Sequence, residues 1–369
     1  MRRFLSFRDF DWVLLGFVLL ICTLGVIEIY STTYGTKFAG SHVRQIYWIV
    51  AGLGLMFVIS LVNYQLLLER SHLIYVAAVA ALLAVAFFGK KYLGAKRWIQ
   101  LPGGQHFQPS EWVKLVLILM LARYFTLNPD RETTLSDVVK AGLIVLVPML
   151  LVLKQPDLGT ALTYLPVAVM GLFLGGIKFR HAAGILVLAG VLMPLLWHFG
   201  PRVHLIKQYQ KDRLTAFMHP EADSQKSGYQ LEQSKIAVGH GGIWGRGIRG
   251  GSQTQGNFLP EPHTDFIFAA WAEEHGFVGA VGLLLLYFMV LTRLIQNAQT
   301  APDRAGGFLV MGVVAVLFFH ILVNAGMVVG FMPVTGIPLP LMSYGGSSLL
   351  FMFLALGIVM NVRMRRFVN

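Results

Sequence analysis

In Leu259-Pro260-Glu261-Pro262-His263-Thr264-Asp265-Phe266-Ile267-Phe268-Ala269, polar groups end abruptly in an apolar run. A carboxylate at such a boundary is partly desolvated, which raises its pKa toward the range useful for a general base. Asp265 is therefore a candidate catalytic base, with Glu261, His263 and Thr264 beside it as candidate substrate contacts. The same residues also allow a plainer reading, in which Thr264 or Asp265 merely caps the following helix.

Gln108-Pro109-Ser110-Glu111-Trp112-Val113-Lys114 opens another apolar stretch. Glu111 and Lys114 at i, i+3 share one helix face, and Ser110 after Pro109 reads as an N-cap. A buried ion pair there is either structural or part of a substrate path. The turn Lys154-Gln155-Pro156-Asp157-Leu158-Gly159-Thr160 adds another cation and a carboxylate, or simply a tight turn with an Asp cap. Lys90, Lys91, Lys96 and Arg97 form a basic loop with Tyr92 and Trp98, either interfacial anchors or a phosphate-binding patch in which Arg97 takes part. Gln233 and Ser234, on a stretch of helical spacing from Tyr229 to Ala237, suit sugar hydroxyls or a solvated surface. Gly245-Arg246-Gly247-Ile248-Arg249-Gly250 matches GxGxxG literally, but no strand precedes it and no βαβ unit surrounds it, so it is not a nucleotide fingerprint.

The elements that hold these residues are apolar. The 369-residue chain is 56% hydrophobic and 13% charged, with mean hydropathy +0.64, against about 25% charged residues in a soluble domain. An ordinary soluble enzyme is excluded. Ten apolar runs of spanning length, 12–31, 46–63, 72–89, 110–127, 138–154, 159–176, 181–199, 277–296, 306–331 and 347–363, predict an all-α polytopic membrane protein with ten transmembrane helices, read as one domain over 1–369. Both termini are basic, which places both on the cytoplasmic side. The connection 200–264, between spans seven and eight, is then a large extracytoplasmic loop.

A continuous helix from Asp265 to Gln296 would be roughly 48 Å long, too long for the bilayer, so a break at Gly276 is expected, with 265–274 a short outer element. The net charge of +12 and pI near 9.9 fit orientation in a membrane and attraction to anionic lipid better than nucleic acid. One cysteine, Cys22, excludes an intrachain disulfide and a CxxC site. The first run is too long for a signal-peptide core and lacks a small-x-small cleavage site, so it is read as the first span.

Taken together, Gly94-x-x-Arg97-Trp98, Gln108-Pro109-Ser110-Glu111-x-x-Lys114, Lys154-Gln155-Pro156-Asp157-Leu158-Gly159-Thr160, Gly228-Tyr229-Gln230-x-x-Gln233-Ser234, Leu259-Pro260-Glu261-x-His263-Thr264-Asp265-Phe266, and Asn324 through Pro340-Leu341-Met342-Ser343-Tyr344-Gly345-Gly346-Ser347 resemble the shape, elongation, division and sporulation (SEDS) family of bacterial wall polymerases. The short N-terminus and Gly251-Ser252-Gln253-Thr254-Gln255 favour its elongation branch over its division branch. Pro262 departs from the arginine that elongation members often carry there.

The resemblance implies a peptidoglycan glycosyltransferase that polymerises lipid II into β-1,4 glycan at the outer face of the bacterial cytoplasmic membrane. It implies a class B penicillin-binding protein as partner. Asp265 matches the family's essential aspartate, and the motif carriers Arg97, Glu111, Lys114, Lys154, Asp157, Gln233, Ser234, Glu261, His263, Thr264, Ser343 and Tyr344 become the expected substrate contacts. An α-linked diphosphate going to a β-glycoside is an inversion, so one base suffices. Arg97, Lys114 and Lys154 are the expected counter-charges of the diphosphate, with help from a divalent cation, magnesium or manganese, that such leaving groups commonly use. No protein metal ligands are assigned and no organic cofactor is expected. A lipid II flippase and a non-catalytic scaffold are the rival readings; a transporter usually shows inverted repeats and helices broken at the midplane, and the sequence displays neither.

Overall fold

The computed structural model of the chain describes residues 9–92, 95–100, 106–127, 132–199, 213, 215, 217–218 and 227–367. Arg2, Arg3, Arg8, Gly94 and most of 200–226, on which parts of the topology and loop expectations rest, lie outside the described residues. Helices stand at each of the ten expected positions: α1 (Trp12–Thr33), α2 (Ser41–Leu61), α4 (Ser71–Phe88), α5 (Pro109–Thr126), α6 (Leu135–Lys154), α7 with α8 (Leu158–Leu162, Leu165–Leu174), α9 (Phe179–Phe199), α12 (Ile267–Gln299), α13 (Arg304–Val328) and α14 (Gly346–Met364). Short helices α3 (Tyr64–Glu69), α10 (Ser227–Gly241) and α11 (Ser252–Gln255) join them.

Among the described residues, six helices, α1, α2, α6, α12, α13 and α14, are long and apolar enough to cross a bilayer. Helix α5 is 18 residues long but carries Glu111, Lys114 and Arg123. The most apolar stretches of α13 and α14 are 72% and 78% buried, against 22–39% in the other four, so α13 and α14 form the centre of the bundle with α5. Outer faces expose Val50, Phe88, Phe173, Phe277 and Phe288, which water would penalise and lipid solvates.

Three expectations need correction. The fold is not purely α: β1 (Lys90–Tyr92), β2 (Ala95–Gln100) and β3 (His106–Phe107) form a small antiparallel sheet in the order β1-β2-β3. Basic and aromatic residues dominate this stretch, and the charge masks their alternation across the pleat. Ser110 does not cap α5; the helix starts two residues earlier than that cap implies, with Gln108 at the cap and Pro109 in the first turn, where the fixed φ of proline is already helical. One expected span is divided as well. The sixth apolar run is interrupted between α7 and α8, ahead of Pro166.

The break expected at Gly276 is there. Gly276 has φ 66° and ψ −167°, a left-handed conformation that a side chain would strain, and it divides α12 into a short first part up to His275 and a full span beyond. A Cβ at this position would lie 2.3 Å from the backbone nitrogen of Gly245. The glycine-rich loop 241–250 therefore packs directly on the kink, where Arg246 and Gly247 donate their N–H groups to the carbonyls of Glu273 and Glu274 (3.0 and 2.8 Å).

Candidate active site

Asp265 lies in the turn ahead of α12 and does not cap it. The cap position is Phe266, with no side-chain cap bond. The turn is held by the connection between α13 and α14. Asn324 on α13 donates through Nδ2 to the Asp265 carbonyl and to the Ile337 carbonyl, both at 2.8 Å. The Ser343 hydroxyl donates to the Thr264 carbonyl (2.7 Å) and accepts from Leu339 N–H (2.9 Å), and Tyr344 N–H donates to the His263 carbonyl (2.9 Å). Backbone rather than side chain is used for this positioning, so the Asp265 carboxylate keeps its own chemistry.

That carboxylate faces backbone across a narrow gap. At Gly336, φ is +72° and an added Cβ would stand 3.2 Å from Asp265 Oδ2. Burial raises Asp265 from the ordinary aspartate value to about 6, opposed by the charge of Arg213, reinforced by Glu261 and Asp157, and opposed again by Arg97. An aspartate at about 6 is ionised at neutral pH yet a far better proton acceptor than a solvated one. Burial likewise pushes the His263 imidazole below its ordinary value, against the opposing charge of Glu261.

Two polar networks border this turn. In the first, Asp157 caps α7 by accepting from Thr160 N–H (3.2 Å), accepts from Gln108 Nε2 (2.8 Å), and pairs with Arg97 at 3.7 Å. Arg97 also donates to the carbonyls of Gln155 (3.4 Å) and Pro156. In the second, the fully buried Lys114 ammonium pairs with Glu111 at 2.9 Å, contacts His320 Nε2 at 3.2 Å and lies 4.3 Å from the centre of the Phe351 ring. His320 Nδ1 in turn lies 3.1 Å from the Pro338 carbonyl. The α13–α14 connection is thus shared: Thr335 accepts from Arg213 (2.8 Å), Pro338 meets His320, and Ser347 accepts from Gln108 N–H (3.2 Å).

Asp265, Thr264, His263, Ser343 and Tyr344 are therefore gathered in one turn-on-turn contact, with Arg97 and Asp157 in one network and Glu111 and Lys114 in the other. His263 also packs against Phe38 and Tyr344, with ring centres 4.6 and 5.8 Å apart. Glu261 and His263 line an open cleft of about 430 Å³ together with Thr36, Lys37 and Asn257. Lys154 stands exposed at the end of α6, next to Gln155. Gln233 and Ser234 are not drawn into the contact. Ser234 is fully buried and its hydroxyl donates to Leu231 and Val328 carbonyls (2.8 and 3.0 Å), which locks α10 onto α13.

The sequence alone assigns no role to His320, Gly336, Gln108 or Arg213. A lone histidine inside an apolar helix was the available signal for the first. Gly336 lies in Thr335-Gly336-Ile337-Pro338, where glycine before proline marks irregular backbone. Gln108 stands in the motif that opens α5, but its partners, Asp157 and Ser347, are distant in sequence; nothing local points to Arg213.

Similarity to known proteins extends over nearly the whole chain. The FtsW/RodA/SpoVE family, described as cell cycle protein, matches residues 11–367. The chain is similar to the peptidoglycan glycosyltransferase MrdB of Escherichia coli K12, 39% identical over 328 residues that cover 89% of this chain and 86% of the relative. It is similar to the peptidoglycan glycosyltransferase RodA of Treponema pallidum, 34% identical across 99% and 100% of the two chains. Among solved structures, a chain of a peptidoglycan synthase complex that coordinates polymerization and crosslinking superposes with a TM-score of 0.84 at 32% identity, covering 98% of this chain and 99% of that one. The rod shape determining protein RodA of Thermus thermophilus gives a TM-score of 0.72 at 30% identity, covering 98% of both.

Proposed function

The chain belongs to the FtsW/RodA/SpoVE family, and from that premise we propose that it is a multi-pass membrane peptidoglycan glycosyltransferase of cell elongation, with Asp265 as its general base. The observation that carries the assignment of the base is the environment of Asp265: a carboxylate raised to about 6 by burial, in a turn held through its backbone by Asn324 and Ser343. In the reaction, Asp265 takes the proton of the acceptor's GlcNAc 4-hydroxyl as that oxygen attacks the anomeric carbon of the donor. The bond to the lipid diphosphate breaks and the configuration inverts, so no covalent sugar forms.

The leaving diphosphate needs positive charge, and Arg97, Lys114 and Lys154 are assigned to it. Lys114 is fully buried, so its reach depends on the diphosphate entering between α5 and α13. A magnesium or manganese ion arriving on the diphosphate would supply further charge. Glu261, His263 and Thr264 are assigned to the sugar or peptide of lipid II, as are Gln233 and Tyr344; Ser234 and Ser343 act instead through their hydroxyls, holding α10 and the Asp265 turn, and Glu111 and Asp157 hold the cations in place.

The proposal includes ten spans, both termini in the cytoplasm of a bacterial inner membrane, the 200–264 connection outside, and a class B penicillin-binding protein bound as crosslinking partner. A cysteine introduced within 215–255 of a Cys22→Ser background should then react with an impermeant maleimide from outside; labelling only after membrane disruption would overturn that orientation. A flippase is the second reading because, among the described residues, helices are broken at 163–164 and at Gly276. Labelled lipid II incubated with the purified chain and its partner, with moenomycin silencing other polymerases, separates the readings. Glycan strands that fail to form with wild type, or form equally with Asp265→Asn, would reject Asp265 as the base.

A further inference from the structure

At the end of the short first part of α12, the acids Glu273 and Glu274 and the imidazole of His275 meet Glu28 of α1. Glu273 is fully engaged: it accepts from Gln253 and Thr254 N–H and from the Thr254 hydroxyl, at 2.8, 3.0 and 2.8 Å. The other two acids differ. Glu274 Oε1 accepts from the Ser31 hydroxyl (2.5 Å) and Arg249 N–H (3.0 Å), whereas its Oε2 has no partner. Glu28 is 0% exposed, and neither of its oxygens has a hydrogen-bond partner.

One ligand atom from each of Glu28, Glu274 and His275 falls within 4.8 Å of the others, and His275 Nδ1 lies 3.9 Å from Glu28 Oε2. Arg249, the cation on the loop that touches Glu274, directs its guanidinium over the Tyr34 ring, 3.4 Å from its centre. Two carboxylates facing one another in an apolar interior with unused lone pairs repel unless a positive species sits between them. A divalent ion would neutralise both.

We propose that Glu28, Glu274 and His275 bind a divalent transition-metal ion that ties α1 to the kink of α12. Two carboxylates with one imidazole suit manganese, iron(II), cobalt or zinc; magnesium and calcium prefer oxygen alone. Nδ1 lies 3.3 Å from the Trp271 carbonyl in this structure, so ligation through Nδ1 exchanges that hydrogen bond for the metal and leaves the ring proton on Nε2. The ring itself is oriented by stacking on Trp271, with centres 3.7 Å apart and planes 18° apart. Glu274 follows Asp265 by a stretch that spans about 13 Å along a helix axis. The ion therefore serves as a staple and is distinct from any cation carried by a diphosphate at Asp265.

The site also has something to hold. Ser31, besides bonding Glu274, accepts at Oγ from Arg249 N–H (3.0 Å) and at its carbonyl from Gln255 Nε2 (3.1 Å). The loop 241–257, the kink and α1 thus converge on one point, and the chain from 258 to 265 leads from it to Asp265.

The test uses the full chain, purified in detergent, stripped with a chelator and titrated with Mn²⁺ while electron paramagnetic resonance follows the free ion. Wild type should bind one equivalent and gain thermal stability with added Mn²⁺. Glu28→Gln and Glu274→Gln should each weaken binding by about tenfold or more and lose the thermal gain, while Asp265→Asn binds as wild type does. Cobalt(II) in place of manganese should show ligand-field absorption that disappears in the same variants. Should Glu28→Gln not purify, His275→Gln, at a half-buried position, serves instead. Wild type that binds none of Mn²⁺, Co²⁺ or Zn²⁺, or variants that bind as tightly as wild type, would overturn the proposal. Greater stability of Glu28→Gln than of metal-free wild type, with no binding by either, would overturn it too and mean that the acids share a proton.

Discussion

Asp11 and Asp265 occupy the same kind of place in the sequence: Asp11-Trp12-Val13 and Asp265-Phe266-Ile267 each put an acid and then an aromatic at the start of an apolar stretch. The structure gives them opposite surroundings. Asp11 accepts from Leu14 N–H (3.2 Å), from Arg293 at both oxygens (3.0 and 2.9 Å) and from Asn297 (2.9 Å), and it pairs with Arg363 at 3.2 Å. Asp265 is held by its backbone and is raised to about 6 by burial. An acid whose lone pairs are filled by its own protein is a joint between α1, α12 and α14. An acid left short of partners retains the capacity to take a proton.

The strongest test of this contrast is Asp265→Asn, which keeps shape and removes basicity. Glycan synthesis should fall by about 10²–10⁴, while the chain still inserts and binds its partner. Its stability should move the other way. Because the native pKa of Asp265 is raised above that of the unfolded chain, protonation favours the fold: stability tied to this group is present below about pH 4 and is lost as pH rises through about 6. The amide introduced by Asp265→Asn cannot ionise, so the variant should unfold at a higher temperature than wild type at pH 7.5 and at nearly the same temperature at pH 4. A lower midpoint at both pH values would show that the carboxylate has a structural task like that of Asp11.

Asp11→Ala is the converse. Removing it strands Arg293 and Arg363, and breaking a buried pair costs about 3–5 kcal/mol, toward the low end here because both guanidiniums keep some contact with solvent. Thermal unfolding should be shifted down strongly, and the turnover of the surviving folded protein should be near that of wild type. Loss of turnover without loss of stability would undo the division between joint and site.

Lys114 tests an intermediate case, a group fully buried yet placed beside the site. Lys114→Met should lower both stability and polymerisation, since it leaves Glu111 buried without its cation. Adding Glu111→Gln should restore most of the stability, because replacing both members of a buried pair is close to neutral. Polymer yield from lipid II should stay low in the double variant if Lys114 meets the diphosphate. Recovery of both would make the pair structural only.

How far these roles could be read beforehand follows from sequence distance. Glu111 and Lys114 are three residues apart, and helical periodicity alone put them on one face. The kink at Gly276 was legible because bilayer thickness limits the length of a span. Arg97 and Asp157 lie sixty positions apart, and their pairing needed the sheet and α7 to be folded against one another; the charge-rich strands concealed their own alternation. His320 and Asn324 act on backbone carbonyls of the α13–α14 connection, Pro338 and Ile337, and Gly336 stands against Asp265; no pattern in composition announces such contacts. Ser234 was placed with the sugar contacts because its type suits them, whereas its hydroxyl is spent on helix packing. The same blindness applies to Asp11 and Asp265, which only their partners distinguish.

A smaller effect is expected from pH. If ionised Asp265 is the base, the rate of polymerisation at limiting lipid II should fall about tenfold per unit below its pKa and level off above it, with the bend near 6. A profile flat from pH 5 to 8, with the partner shown to stay bound, would remove the base assignment even if Asp265→Asn were inactive.

The finest distinction concerns Gly336. Its φ of +72° is costly for any residue with a Cβ, about 1–2 kcal/mol, and the added methyl would sit 3.2 Å from Asp265 Oδ2. That distance is tight without being prohibitive, so the carboxylate must yield by a few tenths of an ångström. A base displaced by a full ångström loses about 10²-fold; a displacement of this size should cost closer to tenfold in rate. Gly176 on the α8–α9 turn is the control, since it has φ +74° and no heavy atom near its added Cβ. Gly176→Ala and Gly336→Ala should therefore lose similar stability, and Gly336→Ala alone should lose rate. Equal rates in the two variants would mean that the backbone at 336 does not set the position of the carboxylate, and that Asp265 is aligned by the hold of Asn324 and Ser343 alone.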